Sequence, residues 1–193
     1  MKFIVGLSIC ILAVQLKAAT PHYTRMVQSK PIVSNGLEFI AATEAEWVCF
    51  NSSSGQDPIE VQLYIRNCTS QPMLFSTFDT FDIIIKDSSG HEINESGGRD
   101  GTLRTKTVLL DANSSHCLCR KAVLQWNGNK SRTFTYWDGT GSWSVYGTLF
   151  AGEYSLSFWC RRSQKETSGR NDAWATWYGD VQTNLVSFKI VDP

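Results

Sequence analysis

The chain has 193 residues, and its eighteen basic and eighteen acidic side chains cancel to a formal charge of zero. Such a balance disfavours nucleic acid as a partner, because that affinity comes largely from clustered Lys and Arg releasing counterions. With three histidines (His22, His91, His116) and no Gly-x-Ser-x-Gly elbow, the usual parts of a hydrolase are missing as well.

The chain opens on Lys2, an apolar run from Phe3 to Val14 and the small residues Ala18 and Ala19. This pattern predicts a secretory signal peptide over residues 1–18, and hence a secreted, extracellular protein. Twelve apolar residues are too few to span a bilayer, which takes roughly 20, and no later stretch is long enough, so no transmembrane segment is expected. Without Lys2 and Lys17, sixteen basic residues face eighteen acidic ones, a formal charge of −2. Residues 19–36 lack apolar periodicity and read as a flexible N-terminal arm. Residues 37–193 read as one domain.

Within that domain, short apolar runs alternate with turn clusters. "IEVQLYIRN" places Ile59, Val61, Leu63 and Ile65 on one face and Glu60, Gln62, Tyr64 and Arg66 on the other. "FDIIIKDSSGHEI" reads as a buried strand, a tight turn at Asp87 to Gly90 and the return strand of a hairpin. "YSLSFWC" groups Tyr154, Leu156, Phe158 and Cys160, and "LVSFKIV" groups Val186, Phe188 and Ile190. No helical period persists. The expected class is therefore all-β, a single antiparallel sandwich of about seven to nine strands, with a β-barrel as the alternative.

Five Asn-x-Ser/Thr sequons, at Asn51, Asn67, Asn94, Asn113 and Asn129, agree with a secretory route and predict a glycoprotein. Asn67 is the doubtful one, because Cys68 follows it at a strand end. Outside the signal peptide, which takes Cys10, the cysteines are Cys49, Cys68, Cys117, Cys119 and Cys160. In an oxidising compartment most should pair. Cys117 and Cys119 lie on one face about 6.5 Å apart along a strand, close to the upper limit for a disulfide, so outward bridges are expected instead. The odd cysteine leaves either a free thiol or a disulfide-linked dimer.

The run "IEVQLYIRNCTSQPMLFSTFDTFDIIIKDSSGHEI", with the later "LFAGEYSLSF", resembles immunoglobulin-like sandwiches of the bacillar intracellular proteinase inhibitor type. The resemblance implies an immunoglobulin-like fold with a Gly-x-Tyr corner at Tyr154, and suggests inhibition of a proteinase as one function.

Of the chemistry-bearing groups, His116 and Cys117 are strand neighbours and point to opposite faces, which argues against a thiol–imidazole pair. Cys117-x-Cys119 lacks the second ligand pair of a zinc site, and Glu92, Glu95 and Asp100 lack the spacing of a calcium loop. No catalytic residue, metal or cofactor is expected. "YWDGTGSWSVYG" holds four aromatic rings, of which Trp143 and Tyr146 have no place assigned by pattern; they form either core or a ligand surface. "RRSQKETSGRND" reads as a polar tip carrying Arg161, Arg162 and Arg170. These features point to a non-enzymatic protein that binds an extracellular protein or matrix component. The alternatives are a proteinase inhibitor and a carbohydrate-binding module for glycan.

Overall fold

The computed structural model describes residues 25–49, 56–77, 80–99, 107–138, 142–163 and 174–192. The fold is all-β, and among the described residues there is no helix. The largest sheet joins β1 (Met26–Gln28), β3 (Leu37–Glu44), β5 (Gln56–Asn67), β10 (Ser115–Gly128), β11 (Ser131–Trp137), β12 (Ser142–Leu149) and β8 (Glu95–Arg99) in that spatial order, with β2 (Ile32–Ser34) also on β3. The second sheet is built on β13 (Gly152–Arg162). It pairs β7 (Phe81–Asp87) on one side and β15 (Gly179–Gln182) and β16 (Val186–Val191) on the other, and β4 (Glu46–Val48) adds in parallel to β16. A small third sheet orders β14 (Ala175–Thr176), β6 (Met73–Ser76) and β9 (Thr107–Leu110). Described strands of these sheets form open paths, so the barrel alternative is not realised.

Period-2 patterning explains the strands at the centre. Ile59, Val61, Leu63 and Ile65 of β5 are all buried, as are Tyr154, Leu156, Phe158 and Cys160 of β13 and Val186, Phe188 and Ile190 of β16. One apolar cluster draws on all three sheets. Trp47 of β4 stacks on Phe134 of β11 with centroids 4.7 Å apart and on Phe188 of β16 at 3.9 Å, and Phe39 of β3 meets Phe75 of β6 and Trp177. Each such ring removed from water contributes about 1.5 to 3 kcal/mol, so this aromatic spine fixes how the sheets face each other. Polar ends are satisfied: Trp47 Nε1 donates to Thr43 Oγ1 at 2.9 Å, and Trp177 Nε1 to the Ser34 carbonyl at 3.0 Å. At the entry to β13 the Tyr154 hydroxyl accepts from Phe150 N (3.1 Å) and donates to Phe150 O (3.2 Å), the corner expected of the Gly-x-Tyr motif.

Three expectations need correction. The described part of the arm, residues 25–36, is ordered as β1 and β2, both paired with β3, and Val27 and Ile32 pack against the core. Its hairpin turns on Asn35 and Gly36, whose φ angles of 45° and 84° suit a two-residue turn matched to strand twist. The return strand after Asp87 to Gly90 shrinks to a single bridge, Lys86 to Glu92.

The third correction concerns sulfur: no disulfide is present among the described residues, and Cys49, Cys68 and Cys160 are thiols. Register gives the reason. Cys117 lies opposite Tyr64 and Ser115 opposite Arg66; Cys68 is therefore four residues from Cys117 along the ladder, about 13 Å, beyond disulfide reach. Cys49 follows the Val48–Val191 pair at one end of the second sheet, whereas Cys160 pairs with Val181 and Phe81 at the other. Burial pushes both thiols up, that of Cys49 to about 11 with the Asp57 carboxylate adding to the effect. The side chain of Cys119 lies outside the described residues.

Candidate functional site

The two aromatic residues that pattern left unplaced separate cleanly. They are three positions apart on β12, so a period of two sends them to opposite faces. Tyr146 points inward: it is 1% exposed, its ring lies 5.8 Å from that of Phe134, and its hydroxyl donates to the Ile83 carbonyl of the other sheet. Burial raises the phenol well above its ordinary pKa, with the Glu95 and Asp82 carboxylates adding to the effect. Of the two alternatives left open for it, Tyr146 is thus core and takes no part in a ligand surface. After it, a bulge with Thr148 at φ 62° inserts one extra residue and returns Leu149 to the core.

Trp143 points outward and is 37% exposed. In register it lies between Trp137 of β11 and Gly98 of β8, so the three form a row across adjacent strands. A Cβ on Gly98 would come within 2.5, 2.9 and 3.1 Å of Cζ2, Cη2 and Cε2 of Trp143, which shows that the indole lies over the glycine. Trp137 is half-buried beside it, and Thr135 and Val145, opposite each other on the same outer face, continue the surface. An aromatic plate presented by three paired strands is rigid and amphipathic, the kind of surface that gains contact area at little entropic cost. Sequence reading found Trp143 but missed Gly98, whose role as a bed for the ring depends on a pairing that no local pattern contains.

The basic positions do not join this row. Arg161, at the far end of β13, lies with Cζ 4.4 Å above the Trp159 ring and Nη2 3.7 Å from Asp82 Oδ2, while Trp159 Nε1 donates to Asp180 Oδ1 at 2.6 Å. Arg162 is half-buried, with Nε enclosed and lacking a hydrogen-bond partner among the described residues. Arg161 is therefore engaged with the sheet surface, Arg162 is drawn partly into it, and Arg170 lies outside the described residues. A separate cavity of about 550 Å³ opens on the second sheet, where Glu46, Asp87, Glu153 and Lys189 line it and the last two pair at 3.2 Å.

The sequons also sort by geometry. Asn94, Asn113 and Asn129 are exposed, and Asn51 lies outside the described residues. Asn67 is 0% exposed; its Nδ2 donates to Gln71 O (2.8 Å) and Leu110 O (3.0 Å), and its Oδ1 accepts from Thr69 N and Oγ1. It is a structural amide clamping a turn against β9, which corrects its assignment as a glycan site. His116 is exposed, one residue before a half-buried Cys117.

No protein-family model matches the chain, and no curated protein matches it. Among solved structures, a conserved hypothetical protein from Bacillus anthracis is 10% identical with a TM-score of 0.30, over 66% of this chain and 99% of that one. A likeness of this size carries no argument about activity.

Proposed function

We propose that this protein is a secreted, non-enzymatic glycoprotein of immunoglobulin-like sandwich architecture that binds an extracellular macromolecule, a protein or a matrix component. One observation carries the binding assignment: Trp143 lays a large indole on an outward sheet face, over a glycine that leaves room for it, and keeps 37% of its surface open. Folding alone does not call for that exposure, because the aromatic spine around Trp47 already supplies the core. The same plate supports a second reading, a carbohydrate-binding module, since a flat ring on a face that also carries Thr135 suits the apolar face and hydroxyls of a sugar. Inhibition of a proteinase through Arg161 and Arg162 has less support, because Arg161 is engaged with Trp159 and Asp82 and Arg162 is half-buried.

The test compares the secreted protein with Trp143→Ala and with Arg161→Ala/Arg162→Ala on a glycan array and in affinity capture from extracellular fluid. Binding lost only with Trp143 supports the plate. Binding that survives Trp143→Ala and fails with the arginine pair refutes it.

A further inference from the structure

The eight-stranded sheet ends on β8, which pairs β12 on one side and no strand on the other among the described residues. A free edge of this kind presents unpaired backbone N–H and C=O groups, a template for pairing with another chain. Of the other edges of the two larger sheets, β1, β2 and β4 are three residues long, β15 is four, and β7 carries the Lys86 to Glu92 bridge with its ion pair at 3.5 Å. Strand β8 is five residues long and centred on Gly97-Gly98. A side chain at Gly97 would meet the Trp143 carbonyl at 2.6 Å and one at Gly98 would meet the Trp143 ring, so the charged residues of the strand are confined to its ends, Glu95 and Arg99, and its middle is bare. The residue immediately before β8 is the exposed Asn94, whose sequon runs into the strand as Asn94-Glu95-Ser96.

We infer that Asn94 carries an N-linked glycan that shields the open β8 edge against strand addition by a second copy of the chain, and that the Asn67 sequon stays bare. The assignment rests on the secretory reading above. The chemistry is transfer of an oligosaccharide from a lipid-linked pyrophosphate donor by the secretory glycosyltransferase. Sugar C1 bonds to Asn94 Nδ2, the C1–O bond to the pyrophosphate breaks, one amide proton is lost, and the lipid pyrophosphate leaves. The same step at Asn67 would leave Nδ2 a single proton where the fold uses two, on an amide with no exposed surface. A bulky, hydrated group beside β8 adds steric exclusion to the charges at the strand's ends.

The experiment expresses the full chain in secretory cells, maps glycopeptides by mass spectrometry and measures size by light scattering. Asn94→Gln and Ser96→Ala, which abolish the sequon through different residues, should each lose one glycan and shift from monomer to dimer or larger; Asn113→Gln should lose its glycan and stay monomeric. Enzymatic deglycosylation of the folded Asn113→Gln protein should reproduce the shift. A secreted protein with bare Asn94, a glycopeptide at Asn67, or monomeric Asn94→Gln and Ser96→Ala proteins would overturn the inference while leaving secretion intact. A chain that never enters the secretory pathway overturns the secretory reading itself and this assignment with it.

Discussion

The indole of Trp143 lies over Gly98 at a separation that excludes any side chain there, since a Cβ would sit 2.5 Å from Cζ2. The glycine is thereby tied to the orientation of the ring rather than to a turn. Gly98→Ala should swing the indole off the sheet at a cost of about 1 kcal/mol, typical of a single substitution. Ligand binding should fall as far as it does in Trp143→Ala, and the tryptophan emission should shift red as the ring meets water. Unchanged emission with intact binding would show that the ring does not need its bed.

Tyr146, on the opposite face of the same strand, belongs to the core. Tyr146→Ala should cost about 3 to 5 kcal/mol, as for other buried aromatic truncations, a large part of a domain's stability. Trp143→Ala should cost about 1 kcal/mol. Thermal melts of the two proteins order the residues directly, and equal losses would contradict the separation into core and surface.

Much of this division was legible in the sequence. Strict alternation in "IEVQLYIRN" and "YSLSFWC" identified the buried faces of β5 and β13, because burial on one side of a pleated strand imposes a period of two. The same rule, applied to positions 143 and 146, separates them without a structure. Asn35-Gly36, flanked by "IVS" and "LEF", likewise carries a hairpin signal, which the polar character of the preceding residues concealed. What could not be read locally depends on pairing between distant segments: Gly98 under Trp143, Asn67 clamped to Leu110 across forty-three positions, and the separation of Cys49 from Cys160.

On the outer face of the large sheet, Glu44 lies one position beyond the Thr43–Val61 pair and so faces Glu60. Partial burial, reinforced by the Glu60 charge, raises its carboxyl from 4.5 to about 7. The folded protein therefore holds this proton more tightly than the unfolded chain does, and the neutral acid stabilises the fold. That contribution is complete below about 4.5 and fades as pH rises through about 7. The melting temperature should fall between pH 5 and pH 8 in the native protein, and Glu44→Gln, permanently neutral, should flatten that part of the profile. An identical slope in both proteins would remove Glu44 as its source.

Arg132 is an arginine with no exposed surface, on a face of β11 otherwise given to Phe134 and Tyr136. Its guanidinium lies 4.7 Å above the Trp126 ring, Nη1 donates to the Lys130 carbonyl at 3.0 Å, and Nη2 pairs with Asp192, just past the end of β16. The pair fastens the last described residue of the chain to the first sheet. Its two halves are unequal, because the Asp192 side chain remains 53% exposed while the cation is enclosed. Asp192→Ala strands a buried charge, which costs about 3 kcal/mol when one partner of an enclosed pair is removed. Arg132→Met leaves only a carboxylate that water can solvate, and a flexible apolar side chain fills the space over Trp126. The arginine substitution should therefore be the milder of the two, although it removes the larger group. Denaturant unfolding of both variants decides the matter: a greater loss in Arg132→Met would mean that packing on Trp126, rather than charge compensation, holds the end of β16 in place.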